Sequence, residues 1–229
     1  MQKLPLKAVL FDLDGTLLDS VSIIMRASER VLNDMNIEFV PEQIRSRIGI
    51  PLHVQAVDLA KDRSEEFIER YRHIYRAYQG ENQVMFADTE KMLEELKKRG
   101  YILGVVTSKV AVSAKRSLVA LGICDYFDII ISADDVDNPK PHPEPLIKAL
   151  EILGLENNEA VYVGDSYFDI DCAKSANVTF IGVDWGARSF EELISYDADY
   201  VIKTWNEMLS IFDSMKIEPE DLNIKSVSS

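Results

Sequence analysis

A chain of 229 residues, 47% hydrophobic and 28% charged, has the balance of a globular protein with a sizeable core but is short for two full-sized domains. Its formal charge of −14 argues against nucleic acid as the main partner, while a small anionic ligand remains open if local cations or a metal ion receive it. Cys124 and Cys172 lie too far apart for a metal-binding pair and suit a reducing cytoplasm.

The apolar run after Lys3 and Lys7 ends at Asp12, short of the ~7–15 residues of a signal-peptide core. Nothing approaches the ~18 apolar residues of a membrane span, so no membrane association is predicted. Ala8–Phe11 is the first of six short apolar runs, the pattern of strands covered on both faces. Over residues 20–84 that rhythm stops. Amphipathic helices are predicted at 21–35 and 41–48, and Phe67, Ile68, Tyr71, Ile74, Tyr75 and Tyr78 recur at helical spacing as cap core. Residues 20–84 are therefore predicted to be a small all-helical cap, inserted between core segments 1–19 and 85–217. In the second segment, strands at 101–106, 127–131, 160–163, 178–183 and 200–202 alternate with helices at 89–99, 111–121, 143–153, 166–176, 190–195 and 205–215. Gly100, Gly122 and Gly154 stop three of these helices. Such alternation implies βαβ crossovers, and so an α/β fold with a doubly wound, Rossmann-like parallel sheet. The polar stretch 218–229 is predicted to be a flexible tail.

Ligands of open parallel sheets bind at the carboxyl ends of the strands. Asp12-Leu13-Asp14-Gly15-Thr16 follows the first run, Thr107-Ser108-Lys109 the second, Asn138-Pro139-Lys140-Pro141 comes some residues after the third, and Gly164-Asp165 with Asp169 follows the fourth. One rim thus gathers four carboxylates, hydroxyls and a lysine. Carboxylates in such numbers repel one another unless a cation joins them. With no Cys or His beside them, that cation is a hard one, Mg²⁺ ahead of Zn²⁺. Lys140 and Thr107 are surplus to a metal site alone and make sense if a phosphoryl group also sits there.

These four segments resemble, in order and position, the four motifs of the haloacid dehalogenase superfamily. The likeness spans residues 7–205, and the helical insert is similar to the cap of its phosphoglycolate-phosphatase-like branch. The resemblance implies a hydrolase of small phosphorylated substrates, working through an aspartyl-phosphate with Mg²⁺. By the same resemblance Asp12 is the nucleophile and Asp14 the general acid and base. Thr107, Ser108 and Lys140 hold the phosphoryl group. Asp12, Asp165 and the backbone carbonyl of Asp14 ligate the metal, with Asp169 supporting from just outside. An aspartate at position 14 points to phosphate esters over dehalogenation, which needs no such proton donor. Within Arg47-Ile48-Gly49-Ile50-Pro51-Leu52-His53, the Gly-x-Pro-Leu piece is similar to the branch's substrate-facing cap loop, making Arg47 and His53 candidate specificity residues.

Each segment also has a plainer explanation. Asp14-Gly15 suits a hairpin turn, the prolines around Lys140 a stiff linker, and Thr107, Ser108 or Asp165 a helix cap. Pyrophosphate hydrolysis, a sugar or nucleotide phosphatase, a β-phosphoglucomutase-like mutase and a non-catalytic binding protein stay open as alternatives, as do monomer and homodimer. The cap carries nine basic and ten acidic residues over positions 20–83, so nearly all the negative charge belongs to the core.

Overall fold

The computed structural model describes residues 6–82 and 84–216; the tail expected at 218–229 lies outside them. Six parallel strands form one sheet: β1 (Ala8–Phe11), β2 (Ile102–Val106), β3 (Ile129–Ile131), β4 (Ala160–Gly164), β5 (Thr179–Val183) and β6 (Tyr200–Ile202). Their order is β3-β2-β1-β4-β5-β6. All four residues of β1 are buried, as expected of a central strand with neighbours on both sides and helices on both faces.

Alternate residues feed two cores. Val9, Phe11, Leu103, Val105, Val161 and Val163 point to one face, packed with Leu93, Leu118, Trp205 and Phe212. These come from α5 (Thr89–Lys98), α6 (Ala111–Ala120) and α10 (Trp205–Lys216). Ala8, Leu10, Tyr162 and Phe180 point to the other, against Leu146 of α7 (Glu144–Leu153), Ile170 of α8 (Tyr167–Ala176) and Leu193 of α9 (Phe190–Ser195). This period-two division is the doubly wound arrangement the alternating pattern implied.

The remaining helices lie between β1 and α5: α1 (Val21–Asp34), α2 (Pro41–Arg45), α3 (Leu52–Ala60) and α4 (Ser64–Asn82). They share their own core, built on Ile24, Ala27, Val31, Leu32, Ile44, Phe67, Tyr71 and Tyr75. Phe67, Tyr71 and Tyr75 stack at ring separations of 6.0 and 5.4 Å, so the tyrosine row is cap core. Two chain segments connect this cluster to the sheet and run side by side. Asp19 N–H donates to Val84 O at 3.0 Å and Phe86 N–H to Leu17 O at 3.2 Å.

The structure trims some expected elements. Residue 127 follows a short 3-10 turn (Cys124–Tyr126), so β3 keeps only three residues. α2 stops at Arg45, and a separate helix begins at Leu52, where a loop was expected. Pro51 lies at φ −59° ahead of that helix, a geometry suited to a helix start. Among the described residues, no helix is long and apolar enough to cross a membrane.

Candidate active site

The sheet order reverses direction between β1 and β4, because β2 and β3 lie to one side of β1 and β4 to β6 to the other. Such a switch point opens a crevice at the strand ends. Asp12 and Asp165 leave β1 and β4 there, side by side. Asp12 N–H still donates to Val163 O at 2.8 Å, extending the ladder by one residue. Gly15 at φ +81° then turns the chain away. A Cβ there, or on Gly186, would collide with the Asp165 carboxylate, so both glycines leave room for that group.

Lys140 reaches this crevice from the loop before α7. Its Nζ lies 2.9 Å from Asp12 Oδ1, 2.6 Å from Asp169 Oδ1 and 2.9 Å from the Tyr162 hydroxyl. Asp169 sits in the first turn of α8, its Oδ2 accepting from Ser166 N–H at 3.1 Å and Ser166 Oγ at 2.5 Å. Both of its oxygens are therefore engaged. Asp165 is buried and forms no ion pair among the described residues; it accepts from Ala187 N–H at 2.5 Å and Thr16 Oγ1 at 3.4 Å.

Charge in this cluster does not balance. Asp12, Asp165 and Asp169 are all buried, with one oxygen of each within 4.8 Å of the others, against the single ammonium of Lys140. Burial, more than the opposing pull of Lys140, lifts the Asp12 carboxyl to about 7. Burial and then the Asp169 and Asp12 charges hold Asp165 well above the usual carboxylate range. For Lys140, burial works downward, but Asp12 and Asp169 outweigh it and keep the ammonium above its ordinary value. Fully ionised, three carboxylates against one lysine would leave two uncompensated negative charges, the deficit a divalent cation fills. The all-oxygen donor set fits such an ion, with Asp12 and Asp165 offering the less engaged oxygens.

A second layer lies toward the helical insert. Asp14 Oδ1 accepts from Ser20 Oγ at 2.5 Å, and its Oδ2 meets Lys109 Nζ at 2.5 Å. Lys109 Nζ also donates to the Tyr75 hydroxyl at 3.0 Å. Burial would lower its pKa, but the Asp14 carboxylate outweighs that and holds it above normal. Ser108 Oγ donates to Gly49 O at 2.6 Å, so the insert's loop closes directly on the second motif. On the flank, Arg45 of α2 pairs with Glu192 of α9 at 2.6 Å, and buried Arg188 stacks on Tyr167 at 4.4 Å.

Between the two layers is a cleft of about 250 Å³ lined by Asp12, Asp14, Ser108 and Lys109 from the core and by Gly49, His53, Tyr71 and Tyr75 from the insert. Thr107, Lys140, Asp165 and Asp169 are not among its lining residues; they lie behind Asp12. The Thr107 hydroxyl accepts from Lys109 N–H at 3.2 Å. Of the two specificity candidates, His53 lines the cleft, in the first turn of α3 rather than in a loop. Arg47 does not: it pairs with Asp58 at 2.9 Å and borders a different hollow, with Gln43 and Leu59. The short helix α3 turns its guanidinium toward that carboxylate instead of the cleft.

Sequence reasoning overlooked Lys109, Ser20, Tyr162 and Ala187. Lys109 was detectable, being a cation directly beside Thr107-Ser108. The other three carried no local signal.

A family signature described as haloacid dehalogenase-like hydrolase matches residues 9–183. The chain belongs to this family. It is 35% identical over 205 residues to pyrophosphatase PpaX of Bacillus velezensis, covering 89% of this chain and 95% of that one. Among solved structures, it resembles a haloacid dehalogenase-like hydrolase from Streptococcus pneumoniae, with TM-score 0.78, 29% identity, and coverage of 90% of this chain and 98% of that one. It also resembles a predicted phosphoglycolate phosphatase from Haemophilus somnus, with TM-score 0.76, 28% identity, and coverage of 90% and 97%. Family membership makes this chain a hydrolase of the phosphatase type.

Proposed function

We propose that this family hydrolase is a Mg²⁺-dependent phosphatase of small phosphorylated metabolites that works through an aspartyl-phosphate on Asp12. The observation that carries the reading is the environment of Asp12. One carboxylate oxygen is engaged by Lys140, while the residue lines the same cleft as Asp14. A nucleophile and a proton carrier thus share one space, two residues apart on an extended segment.

In the first step, the Asp12 carboxylate bonds to phosphorus as the bond from phosphorus to the leaving oxygen breaks. Asp14, entering this step as the carboxylic acid with its resting pair to Lys109 opened, gives that oxygen its proton. Asp14 then takes a proton from water as the water attacks phosphorus, and the bond to Asp12 breaks to release phosphate. Ser20 and Lys109 fix the direction of the Asp14 carboxylate. Lys140 holds Asp12 in its attacking position and offsets charge on the phosphoryl group, while Tyr162 and Asp169 hold Lys140. Thr107 and Ser108 border the phosphoryl group as hydroxyl and backbone donors. Asp12, Asp165 and the Asp14 carbonyl would hold Mg²⁺, with Asp169 supporting, and the bound ion would supply charge compensation for the phosphoryl oxygens. Pyrophosphate and phosphoglycolate, named for similar proteins, are the first substrates to try, and neither nucleic acid nor membrane enters the reading.

Phosphate release from pyrophosphate, phosphoglycolate and p-nitrophenyl phosphate, with and without Mg²⁺, tests the reading. Turnover should require the metal and vanish in Asp12→Asn. Acid-quenched wild-type enzyme given radiolabelled substrate should keep a hydroxylamine-sensitive label that the variant lacks. Absence of turnover on every ester and anhydride would favour a binding role.

A further inference from the structure

The arginines of the helical insert fall into two groups. Away from the cleft most are paired: Arg30 with Asp34 at 2.9 Å, Arg45 with Glu192 at 2.6 Å, Arg47 with Asp58 at 2.9 Å, and Arg63 and Arg70 both with Glu66 at 2.8 Å, while Arg26 lies over the Tyr78 ring at 5.0 Å. Arg72 and Arg76, by contrast, line the cleft and form no ion pair among the described residues. They stand one turn apart on α4, next to Tyr71 and Tyr75. From the opposite wall, Arg116 of α6 lines the same cleft, also without a carboxylate partner among the described residues. The cleft's acids cannot serve, since Asp12 is paired with Lys140 and Asp14 with Lys109.

In a chain of net charge −14, three exposed arginines without carboxylate partners among the described residues border one hollow, and together they favour an anion there. The same cleft is lined by Ile24, Ile48, Ile50 and Val112, apolar neighbours that strengthen charge interactions by displacing water.

We propose that Arg72, Arg76 and Arg116 form a subsite for a second anionic group of the substrate, distinct from the phosphoryl group at Asp12. This rests on the phosphatase reading and narrows it: the substrate class is small dianionic compounds, a phosphoryl group at one end and a carboxylate or second phosphate at the other. Neutral sugar phosphates are disfavoured because they leave the arginines unpaired. Anchored between α4 and α6, the second anion also ties the insert to the core.

Calorimetric binding, which needs no turnover, tests this with Mg²⁺ in excess of ligand. The probes are methylenediphosphonate, which carries two anionic ends and resists hydrolysis, and orthophosphate, which carries one. The wild type should prefer methylenediphosphonate. In Arg72→Ala/Arg76→Ala and in Arg116→Ala that preference should fall by roughly tenfold or more, the effect of losing charge-assisted hydrogen bonds that are partly screened. The corresponding lysine variants should keep more of it, and added salt should erode it. Arg70→Ala, which removes a paired arginine outside the cleft, should leave it within twofold. Equal wild-type affinity for both probes, or arginine variants with unchanged preference, would overturn the subsite. If methylenediphosphonate binds through these arginines while no phosphate is ever released, the subsite stands and the phosphatase reading falls.

Discussion

Replacing Lys140 with methionine removes, among the described residues, the only cation in direct contact with Asp12 and Asp169 while keeping most of the side-chain volume. The side chains of Lys140, Asp12 and Asp169 are 1%, 3% and 0% exposed, so solvent screening offers no relief. Breaking a buried pair by deleting one partner costs about 3–5 kcal/mol, a large share of the roughly 5–15 kcal/mol that keeps a protein folded. For a chain of this size that becomes a fall in melting temperature of roughly 6–20 °C in metal-free buffer. Thermal unfolding followed by circular dichroism reads it directly. Adding Asp169→Asn to Lys140→Met should recover part of the loss, because one orphaned charge is removed with its partner. Mg²⁺ should raise the melting temperature of Lys140→Met more than that of the wild type, since the variant's charge deficit is larger. Turnover should drop about 10²–10³-fold, in line with losing one preorganised electrostatic contact at a reacting group. A Lys140→Met protein that melts and turns over like the wild type, or a double variant no more stable than the single, would refute this account of the cluster.

Three further outcomes follow from the geometry. Gly186→Ala pushes a methyl group into Asp165 and the Gly15 carbonyl; it should cost about 1–3 kcal/mol as overpacking and shift the Mg²⁺ titration of turnover to higher concentration. Arg45→Ala removes the pair with Glu192, whose side chains are 39% and 31% exposed. Stability should change by less than about 1 kcal/mol, while KM rises because the insert is held less firmly over the cleft, as steady-state kinetics would reveal. Asp128 is half-exposed, and burial alone would raise its pKa, but the Leu103 N–H and Lys97 outweigh that and hold it below the usual value. Its contribution is therefore present above pH ~4 and is lost as pH falls through the lowered value. Urea unfolding between pH 2 and 6 should show a shallower acid loss in Asp128→Asn than in the wild type.

How much of this was legible beforehand depends on the range of the forces involved. The buried strands announced themselves because a strand covered on both faces must be apolar throughout, and β1 and β6 match their expected limits. Three of the four motif segments were visible because polar groups follow directly on those apolar runs, and the fourth, around Lys140, because its prolines and lysine stand out some residues after the third. The convergence of Asp12, Lys140, Asp165 and Asp169 followed from parallel topology alone. α3 escaped because a nine-residue helix starting at a proline reads as a loop when only its first residues are weighed.

The direction taken by charged side chains was another matter. Arg47, Arg70, Arg72 and Arg76 look alike in the chain, each a cation on an amphipathic segment. Hydrophobic spacing says which arc of a helix is buried, and nothing in it separates solvent-facing charge from cleft-facing charge. That choice is made when α4 docks over the strand ends, turning Arg72 and Arg76 toward the hollow and leaving Arg47 and Arg70 to carboxylates. The bond between Lys109 and Asp14 and the reach of Tyr75 to that lysine belong to the same class. Local patterning therefore determined the strands, the order of the motifs and the chemistry they share. Packing between segments far apart in sequence decided which cations face the cleft, because only it sets the rotation of one helix against another.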